Sequence, residues 1–333
     1  MMANILILSA GRRTELVKYF KKEWQGFGKV FVSDCSKLAA AIFFADDAFI
    51  VPQIYDENYI GNLIDICLKN DIKAVFSLID PELDLLAQNK ELFLSNGITP
   101  IVSDFEMTNL CFDKMKFYEF LKKNNYKCAL TYDKLSDFEE DLEKGKIAFP
   151  VFVKPNNGSA SININVVNNM ETLKIIFNNF PGMIIQEYLK GQEIGADLYA
   201  DLISKETVSI FTKEKIAMRA GETDKSISFK DEKLFAVLEK LAADLKVIGQ
   251  IDVDIFRVDG EYYISEINPR FGGGYPHAYN CGANFPALIR GNLKGNINKK
   301  DIGNYESGIY MIKHDTVCIF NEKATASEQL RCY

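Results

Sequence analysis

No Cys-x-x-Cys motif and no Cys/His cluster occurs in this chain; its seven cysteines, at 35, 67, 111, 128, 281, 318 and 332, stand singly. An odd number of unclustered cysteines reads as free thiols in a reducing compartment, not as a disulfide framework. None is needed, because 333 residues suffice for about two domains with a substantial core. There is no run of about 18 apolar residues, so no membrane-crossing helix is expected. The opening MMANILILSA puts a short strand ahead of basic residues, the wrong order and length for a signal peptide. Positive charge is also in deficit: 39 Lys and Arg against 46 Asp and Glu leave a net charge of −7. That argues against a general nucleic-acid or anionic-membrane surface and leaves room for a local phosphate pocket. Internal repeats and low-complexity segments are missing too. The expectation is a cytoplasmic protein with small-molecule substrates and neither nucleic acid nor membrane as partner; a homodimer is left open.

The first βα turn, Ser9-Ala10-Gly11-Arg12-Arg13, has one glycine where a dinucleotide fingerprint wants three, which disfavours NAD or FAD. Around it, short apolar runs (Asn4 to Leu8, Lys29 to Ser33, Ala48 to Val51, Ala74 to Leu78) alternate with helical stretches near Thr14 to Glu23, Asn58 to Lys69 and Pro81 to Leu94. This alternation predicts a parallel sheet with helices on its faces. Arg12, Arg13, Asp34, Asp80 and Glu82 follow strand ends, where ligand contacts and helix caps are both common. Residues 106–125 predict one amphipathic helix with Leu110, Phe117, Phe120 and Leu121 on a shared face and Lys114 near its start.

The most informative stretch is Ile248 to Gly274. Ile251, Val253 and Ile255 alternate with Asp252, Asp254 and Phe256, and after Val258-Asp259-Gly260 the alternation resumes through Asn268, the pattern of a β-hairpin. Asp252, Asp254, Glu266 and Asn268 then project from one face. Three carboxylates and an amide facing inward need a compensating cation, and hard oxygen ligands suit Mg²⁺. A solvated edge face is the alternative. Arg270 and the run Gly272-Gly273-Gly274 follow at once, offering a guanidinium and bare backbone to an anion. Upstream, the apolar strand Phe149 to Val153 ends in Lys154 and opens into Asn156-Asn157-Gly158-Ser159-Ala160-Ser161, small residues whose N–H groups can fold over phosphates.

The series DK, FPVFVKP, the small-residue loop, QEYLKGQEIGAD, DVDIF and SEINPR resembles the ATP-grasp superfamily, specifically single ATP-grasp units similar to the carbamoyl-phosphate synthase large subunit. The resemblance implies an α/β parallel-sheet (pre-ATP-grasp) domain over 1–105, then a two-lobed α+β ATP-grasp domain. Its small lobe would span 106–182, its large lobe with the metal site 183–300, and a C-terminal hairpin and tail 301–333. It further implies ATP and Mg²⁺ (Mn²⁺ an alternative) as cofactors. Lys114 and Lys154 would meet the phosphates, covered by the backbone of Asn157, Gly158, Ser159, Ala160 and Ser161. Gln186, Glu187, Tyr188 and Leu189 would surround the adenine and Glu193 the ribose. Asp254, Glu266 and Asn268 would hold the metal, Arg219 and Arg270 the transferring phosphoryl group, and Asp252 the metal's surroundings or the substrate. The polar segment Arg219 to Lys230 is the expected mobile cover, and His277 reads as structural.

The implied chemistry is an ADP- and phosphate-forming ligase that activates a small carboxylate as an acyl-phosphate and joins it to an amine. A carbamoyl-phosphate synthase-type unit acting on carbamate or bicarbonate is the alternative within enzymes, although such a large subunit contains two units and this chain has room for one. A non-catalytic nucleotide-binding scaffold is the alternative outside them.

Overall fold

The computed structural model describes residues 2–158 and 165–319, with 331–332 described as backbone. The first hundred residues form β1 (Asn4–Leu8), α1 (Thr14–Trp24), β2 (Val30–Asp34), β3 (Asp47–Ile50), α2 (Tyr59–Lys69), β4 (Ile72–Ser77), α3 (Asp80–Gln88), α4 (Lys90–Ser95) and β5 (Thr99–Pro100). The strands make an all-parallel sheet in the order β3-β2-β1-β4-β5. β1 is central and apolar from Ile5 to Leu8 because both its faces are covered: Ile5 and Ile7 join one core, Leu6 and Leu8 another. The strand order reverses at β1/β4, so the crevice beyond their carboxyl ends is where ligands of such sheets bind.

Two helices follow, α5 (Phe105–Phe112) and α6 (Lys114–Lys123). The single helix expected over 106–125 is broken at Asp113, whose backbone is extended (φ −97°, ψ 102°) and whose carboxylate caps α6 by accepting from Lys116 N–H. The stretch 81–94 is likewise two helices, α3 and α4, meeting at Asn89.

The next layer is a small lobe: β6 (Thr131–Tyr132), α7 (Leu135–Glu143), β7 (Val151–Pro155), β8 (Asn165–Val167), α8 (Met170–Asn179) and β9 (Met183–Glu187). Its four strands, in the order β6-β9-β7-β8, cover a separate core around Phe138, Val151, Val153 and Leu173. The remainder is built on β10 (Gln192–Ala200), β11 (Thr207–Arg219), β12 (Glu222–Phe229), α9 (Glu232–Asp244), β13 (Gly249–Val258), β14 (Glu261–Asn268), α10 (Tyr275–Asn280), α11 (Phe285–Leu293) and β15 (Tyr310–Ile312). Its antiparallel sheet runs β14-β13-β10-β11-β12-β15. The first domain packs on this large lobe through aromatic contacts: Tyr19 stacks on Tyr279 with ring centroids 3.9 Å apart, and Phe20 and Phe76 meet Phe271.

Two expectations about this half are corrected. Residues 219–230 are not a mobile cover: they form the β11/β12 hairpin, with Thr223, Ser226 and Ser228 buried and β12 hydrogen-bonded on both sides. The hairpin expected within 301–333 is not closed on itself among the described residues: β15 extends the large sheet beside β12, while β16 (Cys318–Ile319) pairs with β17 (Arg331–Cys332). The rest of the predicted tail lies outside the described residues.

Candidate active site

β10 lies between β11 and β13, and the register places polar residues in rows across one face of the sheet. Asp197 stands opposite Asp252, which faces Asn268; one step along, Lys213 stands opposite Gly195, then Asp254, then Glu266. The hairpin reading is thus correct in its outcome: Asp252 and Asp254 share a face of β13 and Glu266 and Asn268 a face of β14 by period-two alternation, and a register shift between Asp254 and Ile255, which sets Glu266 and not Ser265 opposite Asp254, brings the two pairs together. Gly195 is the gap that lets two lysine stems cross β10. A Cβ there would lie 3.1 Å from Lys213 Cε and 3.2 Å from Lys215 Cε. Lys213 crosses to a buried ion pair with Asp197. Lys215 Nζ reaches Glu193 Oε1 at 2.8 Å and Asp254 Oδ1 at 2.5 Å, its side chain 5% exposed.

Such a concentration of carboxylates perturbs their ionisation. Burial, then the neighbouring charges of Asp254 and Asp197, push Asp252 up to about 7. Burial also raises Glu266, against the attraction of Lys114 and Lys154. Lys154, buried at the end of β7, is lowered by desolvation with Glu266 opposing. Burial works against the charge of Lys215, but Asp254, Glu193 and Asp252 together raise its pKa. Perturbed groups in a cleft mark functional sites because work on a reacting group requires them.

Among the described residues no three His, Cys, Asp or Glu side chains converge to form a metal cage. The donors nonetheless fit Mg²⁺, which keeps several waters and takes one or two carboxylates plus phosphate oxygens. Asp254, Glu266 and Asn268 are hard oxygen donors on adjacent strands, and in this structure the Lys215 ammonium supplies the compensating charge at Asp254.

Arg270 follows the Glu266/Asn268 pair. It donates to Asn268 Oδ1 and to Asp80 Oδ2, each at 3.0 Å, and Asp80 comes from the β4 end of the first domain. Among the described residues Arg270 Nε and Asp80 Oδ1 are buried without hydrogen-bond partners. A small cleft lined by Asp80, Gly158, Glu266 and Asn268 joins the two domains and the start of the loop. The glycine run is a steric requirement of this corner. A Cβ on Gly272 would lie 2.4 Å from Asp252 Cγ, one on Gly273 2.6 Å from Glu222 Cδ, and one on Gly274 2.8 Å from Lys213 Cε.

The nucleotide-side residues are placed as follows. Lys114, at the first turn of α6, donates to the Gly158 carbonyl at 2.6 Å, and Asn156 ties the loop root to Met115 N–H and Asp113. Asn157 bridges to Asp113, and Gly158 has φ +122°. Ser159, Ala160 and Ser161 lie outside the described residues. Glu187 accepts from Leu130 N–H at 3.0 Å, Gln186 donates to Thr131, and Tyr188 stacks on Phe152 at 4.8 Å. Leu189 follows on the segment between β9 and β10, and Glu193 is the Lys215 partner already described.

Arg219 is not part of this constellation. It sits exposed at the tip of β11, paired with Asp315 at 2.8 and 3.0 Å and with Asp224 at 3.1 Å. Two register irregularities between Lys215 and Met218 break the alternation that carries Lys213 and Lys215. Lys213 and Lys215 are the residues missed in the sequence, where Asp80 and Arg13 read as positions after strand ends, open to ligand contact or helix capping alike. Lys213-Glu214-Lys215 does carry a signal, since two lysines in strand alternation share a face. His277 is structural: it lies between Ser226 Oγ (2.8 Å) and the Ile309 carbonyl (3.0 Å), and burial pushes it down to about 4. Asp34 accepts from Gly11 and Ser36 N–H, and buried Glu82 accepts from Tyr59 and Ser77, so both are absorbed locally.

Residues 5–101 match the family model described as PylC-like, N-terminal domain, and residues 111–274 match the ATP-grasp domain model. A carbamoyl-phosphate synthase of Methanobrevibacter smithii is 24% identical over 317 residues, covering 89% of this chain and 82% of that protein. The D-alanine–D-alanine ligase A of Clostridium perfringens is 30% identical over 174 residues, 48% of this chain; the match spans 57% of the ligase's own length. The biotin carboxylase domain dimer of Hydrogenobacter thermophilus 2-oxoglutarate carboxylase, solved with MgADP, ADP and bicarbonate, superposes with a TM-score of 0.72 at 15% identity. It covers 93% of this chain and 74% of its own, and shares the fold.

Proposed function

We propose, from the premise that this chain is an ATP-grasp protein with a PylC-like N-terminal domain, that it is an ATP- and Mg²⁺-dependent ligase. It would phosphorylate a small carboxylate at the expense of ATP and pass the acyl-phosphate to an amine. The observation that carries the reading is the polar face of the large sheet, where Asp254, Glu266 and Asn268 lie beneath buried Lys154 and Lys215 and beside Arg270.

Each residue has a role its position supports. Lys114 and Lys154 pair with the phosphates as they approach the loop root. Glu187 and the backbone near Leu189 orient the adenine, and Glu193 accepts from the ribose hydroxyls. Asp254, Glu266 and Asn268 would hold Mg²⁺, which when bound neutralises charge on the β- and γ-phosphates. Lys215 would be displaced from Asp254 if that carboxylate held a cation, and its ammonium would then be available to phosphate oxygens. Arg270, with an unused buried Nε donor, receives the substrate carboxylate. Attack by the carboxylate oxygen on the γ-phosphorus needs no protein nucleophile, so catalysis is positioning and electrostatics. The amine then attacks the acyl carbon and phosphate leaves.

The test is phosphate release from ATP against a panel of carboxylates with and without amines, using an ¹⁸O-labelled acid. One labelled oxygen must pass into inorganic phosphate; unlabelled phosphate from a coupled turnover would overturn the mechanism. A second reading, a unit phosphorylating bicarbonate or carbamate, is supported by the match along 82% of the Methanobrevibacter smithii protein. It requires phosphate release driven by bicarbonate alone.

A further inference from the structure

The turn after β1 carries two arginines that the reaction described above does not use. Arg12 Nη2 and Arg13 Nη2 lie 3.2 and 3.4 Å from Glu222 Oε1, and Lys313 Nζ lies 2.9 Å from Glu222 Oε2. Three cations from two separate parts of the chain, the turn after β1 and the segment after β15, converge on one carboxylate, so the cluster carries an excess of two positive charges. Among the described residues Arg12 has one further contact, to the Ala220 carbonyl at 3.5 Å, so most of its guanidinium N–H groups have no protein acceptor there.

The place is suited to an anion on other grounds. It lies beyond the carboxyl end of β1 at the point where the strand order reverses, and at the N-terminus of the eleven-residue helix α1, where no side chain caps the helix among the described residues. It also adjoins the reacting corner. Gly272 packs on Asp252 and the next residue, Gly273, packs on Glu222, and the charges felt by Arg13 include those of Arg270 and Asp252. Glu222 is delivered by the tight β11/β12 turn, with Ala220 and Gly221 both at positive φ.

We infer that Arg12, Arg13 and Lys313 form a second anion site beside Arg270, and that the acid activated here is a dianion whose distal carboxylate they hold, Glu222 being the internal carboxylate that keeps them together without substrate. This rests on the ligase reading, since it names the class of its acid substrate. It separates that substrate from bicarbonate and from simple monocarboxylates, which cannot span both arginine sites.

The experiment is calorimetric titration of the full chain with MgADP present, using succinate and glutarate against butyrate and valerate. Charge-assisted hydrogen bonds to two cations predict that a dicarboxylate binds about tenfold tighter or more than its monocarboxylate partner. Arg13→Gln should erase that preference while leaving monocarboxylate affinity as it was. Arg12→Gln, at a position with a largely exposed side chain, gives the same readout if the Arg13 variant folds poorly. Glu222→Gln should tighten dicarboxylate binding. Equal affinities in the wild type overturn the inference, as does a preference that survives in both arginine variants. A Glu222→Gln variant that weakens succinate and glutarate binding, or leaves it unchanged, overturns it too. The ligase reading fails separately, when no carboxylate in the panel stimulates phosphate release.

Discussion

Replacing Lys215 with methionine removes the cation on which the acidic face depends. The ammonium has two contacts, 2.8 Å to Glu193 and 2.5 Å to Asp254, and its side chain is 5% exposed while those of its partners are 34% and 26% exposed. Removing one member of a fully buried pair costs about 3–5 kcal/mol. Solvent reaches both carboxylates here and takes up part of that, leaving about 1–3 kcal/mol. The loss should depend on pH. Asp252 already has its folded pKa pushed up to about 7, and Lys215 is one of the charges that hold it down, so without Lys215 it rises further above its unfolded value. A carboxylate with a raised folded pKa penalises the folded state above that pKa, and the penalty fades as pH falls through it toward about 4. The deficit of Lys215→Met relative to wild type is therefore full near pH 8.5 and smaller near pH 5.5. Millimolar Mg²⁺, which restores positive charge to the same oxygens, should reduce it at the higher pH. Urea midpoints at the two pH values, with and without Mg²⁺, measure this, and phosphate release should fall about a hundredfold. A deficit unaffected by pH and by Mg²⁺, or wild-type turnover, refutes the assignment of Lys215 as the charge partner of the metal site.

Glu266→Gln should leave the melting temperature near that of wild type while abolishing phosphate release, because its carboxylate is proposed to hold the metal; Asn268→Ala should abolish release too and also lower stability by about 1–3 kcal/mol, since Arg270 loses an acceptor at 3.0 Å; turnover at the wild-type rate removes either residue from the metal site. Gly195→Ala adds a methyl 3.1–3.2 Å from both lysine stems, displacing Lys213 and Lys215, and should lower phosphate release more than it lowers stability; a variant with normal kinetics shows that the lysines adjust freely. His277 is held neutral, its pKa depressed to about 4 from an unfolded value near 6.5, so stability is present above about pH 6.5 and lost as pH falls toward 4. Acid unfolding curves of His277→Ala should start lower by about 1–3 kcal/mol, from the unpaired Ser226 and Ile309 groups, and show a flatter slope in that window; an unchanged slope refutes it.

Much of the site was legible in the residues because its signals are local. Strand alternation alone puts Asp252 and Asp254 on one face of β13 and Glu266 and Asn268 on one face of β14, while the register shift between Asp254 and Ile255 is what brings the two pairs to the same side of the hairpin. The alternation of strands and helices in the first hundred residues determines a parallel sheet for a similar reason, and the lysine ending an apolar strand locates Lys154. What only the tertiary structure decided depends on neighbours distant in the chain. Strand order inserts β10 between β11 and β13, and only then does Gly195 become the opening through which Lys215 reaches Asp254. The fold of the first domain onto the large lobe brings Asp80 to Arg270 and Arg13 to Glu222, contacts across 190 and 209 positions that no spacing in the sequence announces. Irregular pairing near the end of β11 sends Arg219 to the surface against Asp315, because side-chain parity holds only while the ladder is regular.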